Sequence, residues 1–191
     1  MEYNRIIIGI DEAGRGPLIG DMFIALVAIR SHVIEKLKVL GVKDSKKLSP
    51  DQRQKLFPFI IESSELVLVT RAVPLEIDEK NLNDLFIDKV CKCIVNAYSR
   101  LRSIDTIYID SAGNPEKLKE KIRKCLILRG IHANLIVEHR ADAKYLVVGA
   151  ASIVAKYLRD THIDMLKRTY GDFGSGYPSD MRTIEWLKTY Y

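Results

Sequence analysis

The densest hydrophobic run lies near the start of the chain, at Arg5 to Ile10, where four isoleucines surround Gly9. A run without polar alternation predicts a strand buried on both faces. Met22 to Ile29 predicts a second strand. The turn-rich Ala13-Gly14-Arg15-Gly16-Pro17 between them predicts an early hairpin. Further β-branched runs at Glu65 to Val73, Thr106 to Ile109 and Ala133 to Val137 predict three more strands.

Helical spacing dominates elsewhere. Leu82, Leu85, Phe86, Val90, Cys93, Ile94, Ala97, Tyr98 and Leu101 recur on one face, predicting a helix over Leu82 to Leu101. Asn114-Pro115 is a cap and first turn, Leu118, Ile122, Cys125 and Leu126 form a stripe, and Gly130 is a stop. A third long helix is expected from Asp142 to about Leu166. Its small-residue patch Gly149-Ala150-Ala151-Ser152 would let the backbone approach a sheet closely. Shorter helices are expected over Pro50 to Ile61 and Ser179 to Tyr190. Strands first, then alternating helix and strand, predict an α/β fold with a mixed central sheet of about five strands flanked by helices.

Composition narrows the class. A length of 191 residues, 47% of them hydrophobic, with no repeat, low-complexity tract or linker, predicts one domain over residues 1–191. The first apolar run is far too short to span a bilayer and meets Asp11 and Glu12 at once, which argues against a membrane or secreted protein. Cys91, Cys93 and Cys125 are odd in number, lack metal-ligand spacing and fall in helix-like stretches. They read as reduced thiols of a cytoplasmic protein, Cys93 on the apolar face and Cys91 off it.

A net charge of +5 favours an anionic partner. Lys36, Lys38, Lys43, Lys46, Lys47, Arg53 and Lys55 crowd one stretch, although such runs are more often solvated faces.

The candidate chemistry is carboxylate. Asp11 and Glu12 are expected to end the first strand, exposed at a sheet edge before the Gly-rich turn. Asp110 ends the Thr106 to Ile109 strand, and Asp142 opens the third helix. Sites in α/β sheets gather outside strand ends, so these four can converge. Four oxygen donors without a His or Cys set suit Mg²⁺ or Mn²⁺ rather than zinc. Two such ions activate water and stabilise a leaving oxygen in phosphodiester hydrolysis. Taken singly, each acid is better read as a surface group, and Asp142 as a helix cap.

Several motifs in order decide between these readings. Gly9-Ile10-Asp11-Glu12-Ala13-Gly14-Arg15-Gly16-Pro17-Leu18 and Lys43-Asp44-Ser45-Lys46-Lys47-Leu48-Ser49 resemble the opening motifs of ribonuclease HII. Asp110-Ser111-Ala112, Ala141-Asp142-Ala143-Lys144-Tyr145, Ala150-Ala151-Ser152-Ile153-Val154-Ala155-Lys156 and Gly174-Ser175-Gly176-Tyr177-Pro178-Ser179-Asp180 follow in the family's order over nearly the whole chain. The Ala141 to Tyr145 and Gly174 to Asp180 segments resemble the archaeal branch.

The resemblance implies a ribonuclease H-like fold and assigns the catalytic and metal-binding acids to Asp11, Glu12, Asp110 and Asp142. It implies an endonuclease acting on RNA/DNA hybrids and on duplex DNA containing ribonucleotides, cutting 5′ to the ribonucleotide and leaving 3′-hydroxyl and 5′-phosphate ends. Gly14, Arg15, Gly16 and Tyr177 map to the family's recognition of the junction ribonucleotide. Glycines let backbone amides reach a 2′-hydroxyl. Lys43, Ser45 and Lys46 resemble its phosphate-contacting segment, before a helix start expected at Ser49. A monomer is expected.

Each assignment has a plainer counterpart. Tyr177 between small residues would otherwise be a loop anchor, the lysines a basic loop, and His139, three residues before Asp142, an exposed polar histidine rather than a proton shuttle. Lys144 and Lys156 serve equally as phosphate contacts or as screens for the acids.

Three positions depart from the family pattern: Asp21 stands where proline is usual, Gly149 where serine is common and Met181 where proline is common. The sequence stops at Tyr191, whereas relatives often continue with residues that help hold substrate, so weaker binding or a longer parent chain is expected. Two rivals remain. A DNA nuclease or resolvase of the same fold class is disfavoured by the Gly14 to Gly16 turn with Tyr177, and a silent nucleic-acid-binding module by the intact acids.

Overall fold

A computed structural model describes residues 4–42 and 48–190. Five strands form one sheet in the order β3-β2-β1-β4-β5: β1 (Ile6–Ala13), β2 (Met22–Arg30), β3 (Leu66–Ala72), β4 (Thr106–Asp110) and β5 (Asn134–Glu138). β1 pairs antiparallel with β2 and parallel with β4, so the sheet is mixed. The expected hairpin is present, and the isoleucine-rich first run becomes the central strand. It pairs on both edges, and helices on both faces explain why its apolar residues do not alternate with polar ones.

Eight helices surround the sheet among the described residues: α1 (Ile34–Val39), α2 (Pro50–Ser63), α3 (Pro74–Glu79), α4 (Leu82–Leu101), α5 (Pro115–Leu128), α6 (Ala141–Lys144), α7 (Leu146–Tyr170) and α8 (Met181–Tyr190). α2 starts with a capping box, Ser49 accepting from Gln52 N while the Gln52 side chain accepts from Ser49 N. Asn81 and Asn114 cap α4 and α5. α1 and α3 were not expected, since six residues are too few to show a helical period.

Alternating side chains of the sheet feed two cores. Ile6, Ile8 and Ile10 meet Leu85, Val90, Ile94 and Ala97 of α4 and Ile122 of α5. On the other face Ala25, Val27 and Ile29 meet Val147, Ala151 and Val154 of α7, together with residues of α1 and α2. Cys91, expected off the apolar face, is buried in the first core because α5 covers that side of α4 as well.

The third long helix is not continuous from Asp142. It breaks at Tyr145, whose backbone is extended, into α6 and α7. The Tyr145 ring packs on Tyr108 at 4.2 Å and its hydroxyl donates to Glu138 at 3.3 Å. These contacts hold Tyr145 against the sheet, and its carbonyl then accepts from the Val148 and Gly149 amides to start α7.

Close packing of α7 on β1 depends on Gly9. A Cβ there would stand 2.3 Å from the Val147 backbone. No helix among the described residues is long and apolar enough to cross a membrane.

Candidate active site

Asp11 and Asp110 meet because of strand register. Ile10 pairs with Ile109 across the parallel β1–β4 ladder, which places the next residue of each strand side by side on the same face, about 4.8 Å apart between strands. That face is the α7 side. Asp110 Oδ1 accepts from Ser111 N at 3.0 Å and from Ala141 N at 3.1 Å, tying the end of β4 to the start of α6. Asp142 is the next residue of α6, and oxygens of Asp11, Asp110 and Asp142 all lie within 4.8 Å of one another.

Asp11 is 6% exposed and Asp142 is buried as well, contrary to the expectation of acids exposed at a sheet edge. β1 runs on to Ala13 paired with β2, so its acids sit within the sheet rather than beyond its end. Asp142 is not a cap either: Arg140, at φ 56, precedes α6 and no side chain caps that end.

Glu12 does not join the three-oxygen cluster among the described residues. Strand alternation turns it toward the α4 side, where its Oε1 accepts from Arg15 Nη1 at 3.3 Å and its buried Oε2 has no hydrogen-bond partner.

Burial and mutual repulsion set the electrostatics of Asp11 and Glu12. Burial holds Asp11 well above the usual carboxylate range, reinforced by Glu12 and Asp110 and opposed by Ser152 and the Glu12 amide. Glu12 is pushed up to about 7, first by burial, against the pull of Arg15 and with the push of Asp110. Hard oxygen donors crowded within 4.8 Å of one another fit a divalent cation. Asp11, Asp110 and Asp142 are the residues placed to hold one, while Glu12 lies on the opposite face of β1.

The Gly14 turn leaves β1 at Ala13, two residues beyond Asp11. Gly14 has φ 92, and a Cβ would lie 2.7 Å from the Asp21 carbonyl, so glycine is required twice over. Gly16 is exposed, with nothing near its missing side chain. Arg15 is held by Glu12 and by Asn83 of α4, its guanidinium over Phe86.

Tyr177, though distant in sequence, is brought beside this turn: Leu18 N and Ile19 N donate to Gly176 O at 2.7 and 3.3 Å. Lys43, Ser45 and Lys46 lie outside the described residues. His139 is exposed, as expected, and its Nδ1 donates to Ser111 O at 2.7 Å. Lys144 pairs with Glu138.

Sequence reasoning missed four residues here. Ser152 of α7 is fully buried and close enough to Asp11 to favour its ionised form, though without the alignment of a full hydrogen bond. The small-residue patch containing it was legible as a close approach but not as a contact to the acid. Asn83 anchors Arg15. Arg159, on the same helix as Ser152, lies beneath the Gly14 turn. Asp21, noted only as a departure, is buried, 3.1 Å from Arg71 as an ion pair without hydrogen-bond alignment and 3.6 Å from His162. A cleft of about 250 Å³ beside Arg15 is lined by Asn83, Phe86, Ser111, Gly113 and Lys117.

Comparison with known proteins agrees with this architecture. A family model described as Ribonuclease HII matches residues 8–191. Ribonuclease HII of Saccharolobus solfataricus is 46% identical over 184 residues, 96% of this chain and 83% of that protein. Ribonuclease HII of Pyrococcus horikoshii is 47% identical over 189 residues, 97% of this chain and 83% of that one. The crystal structure of ribonuclease H2 from Pyrococcus horikoshii superposes with a TM-score of 0.86 at 46% identity, covering 97% of this chain and 87% of that one. With the family model spanning almost all of the sequence and archaeal relatives near half identity, this chain belongs to the ribonuclease HII family.

Proposed function

We propose that this ribonuclease HII hydrolyses the RNA strand of RNA/DNA hybrids and cuts duplex DNA on the 5′ side of an embedded ribonucleotide, leaving 3′-hydroxyl and 5′-phosphate ends. The observation that carries the reading is the juxtaposition of Asp11, Asp110 and Asp142 within 4.8 Å, with a Gly-Arg-Gly turn leaving the strand that carries Asp11.

In this reading Asp11, Asp110 and Asp142 hold the divalent ions, Mg²⁺ or Mn²⁺, with Glu12 completing the set from the far side of β1. Ions held by these acids would supply an activated water and charge stabilisation at the leaving 3′ oxygen.

The chain's own residues do the selecting. Gly14 and Gly16 present backbone without Cβ atoms to the ribose, where only RNA carries the 2′-hydroxyl. Arg15, fixed from two sides, grips a neighbouring phosphate. Tyr177 lays its ring on the sugar, and Lys43, Ser45 and Lys46 contact the backbone. A net charge of +5 favours the duplex as partner, and the protein acts as a monomer in the cytoplasm.

The test is incubation of the protein, and of Asp110→Asn, with a duplex containing one ribonucleotide and with an all-DNA control, in Mg²⁺ or Mn²⁺. Metal-dependent cutting only 5′ to the ribonucleotide, lost in the variant, is expected. Equal cutting of the all-DNA duplex would instead indicate a general nuclease, and binding without cutting a silent module.

A further inference from the structure

α7 acts as a ruler under the site. Ser152 and Arg159 are seven residues apart on one helical face, about 10.5 Å along the axis. Asp11 lies on β1 and Gly14 directly follows that strand, three residues on and about 10 Å away. The same helix face therefore puts Ser152 against Asp11 and Arg159 against Gly14.

Arg159 is 8% exposed. Its Cδ and Nε lie 3.2 and 3.3 Å from where a Cβ on Gly14 would stand, so the turn rests on its stem. Beyond the stem, Nη2 donates to Ser175 O at 3.3 Å and the guanidinium lies 4.8 Å from the Tyr177 ring centroid. Tyr177 is 37% exposed: the guanidinium covers part of its ring and the rest faces solvent.

The buried Nε of Arg159 has no hydrogen-bond partner. A buried cation with incomplete partners costs stability, and a long apolar residue would fill the space without that cost. What an apolar or ammonium side chain lacks is a planar cation that stacks on an aromatic ring while donating beyond it.

We propose that Arg159 is a positioning residue for ribonucleotide recognition, holding the Tyr177 ring in register with the Gly14–Gly16 turn so that both meet one ribose. This rests on the reading of the site given above. Arg159 touches no substrate in this role. It sets the spacing between the two elements that do, with the Gly176 carbonyl bonded to Leu18 and Ile19 as the second staple.

The test is a double-mutant cycle on a duplex with one embedded ribonucleotide, using Arg159→Met, Tyr177→Ala and both together, with Arg159→Lys alongside. Arg159→Met is expected to lower kcat/KM about tenfold or more, and the double variant to be no worse than Tyr177→Ala alone. Arg159→Lys is expected to lose nearly as much, because charge is kept but the stacked plane is not.

Losses that multiply in the double variant, or a fully active Arg159→Lys, would overturn the proposal. Hydrogen exchange at the Leu18 and Ile19 amides reads the clamp without substrate and is expected to quicken in both Arg159 variants. Unchanged exchange would overturn it too. Should Arg159→Met not fold, Arg159→Lys and its exchange rates decide. A wild-type enzyme that leaves the ribonucleotide uncut would defeat the proposed function, while the exchange rates still report whether Arg159 joins the two loops.

Discussion

Glu12 and Asp11 make the metal-free protein sensitive to pH in a direction opposite to that of most paired carboxylates. Their protonated forms are favoured by folding, so between the ordinary glutamate value of 4.5 and about 7 the folded state binds more protons than the unfolded one. Stability from this source is present below that window and is lost as pH rises through it, by on the order of 3 kcal/mol for Glu12. In chelator, the melting temperature is therefore expected to fall between pH 5 and pH 8, at roughly those values, and millimolar Mg²⁺ or Mn²⁺ should restore it chiefly at the higher pH. A metal-independent melting curve at pH 8 would contradict the assignment of these acids. Asp110→Asn keeps an acceptor for the Ser111 and Ala141 amides but removes one of the repelling charges. It should lose cleavage by about a thousandfold or more, yet melt higher than wild type in chelator at pH 8, a separation of activity from stability that scanning calorimetry and product gels read independently.

Elements carry the geometry, and the β1–α7 contact is the most demanding. Gly9→Ala would drive a methyl group into the Val147 backbone, so one strand or helix must move. A loss of about 2 kcal/mol or more in urea unfolding is expected, with weakened metal binding, because Asp11 and Ser152 lie across that interface. The helices with nine-position or four-position apolar stripes, α4 and α5, were legible in sequence almost to their ends. α1 and α3 were not, being shorter than two helical turns. The break at Tyr145 was hidden as well, since both halves have helical composition and only the contact of Tyr145 with Tyr108 and Glu138 separates them.

At the scale of the whole molecule, charge and layering act together. A basic chain that neutralises phosphates releases counterions, so KM for a ribonucleotide duplex is expected to rise steeply, about tenfold or more, between roughly 50 and 200 mM salt. A nearly flat salt response would argue that recognition is confined to the ribose and its neighbours.

The fold class, the approximate number of strands and four candidate acids were available from one-dimensional information, because a both-faces-buried strand, an amphipathic stripe and a run of family motifs are all local patterns. Convergence was only an expectation. Whether Asp11 is buried, that Glu12 turns away from the other three, and that Asp142 sits past a left-handed Arg140 rather than at a cap are consequences of strand register and helix docking. Arg159 and Tyr177, eighteen residues apart, meet beneath Gly14 only once α7 is laid along β1. Sequence by itself determined which groups are present and which local element carries each one. Tertiary structure decided their distances, their burial and hence their charge state, since those depend on contacts between residues far apart along the chain.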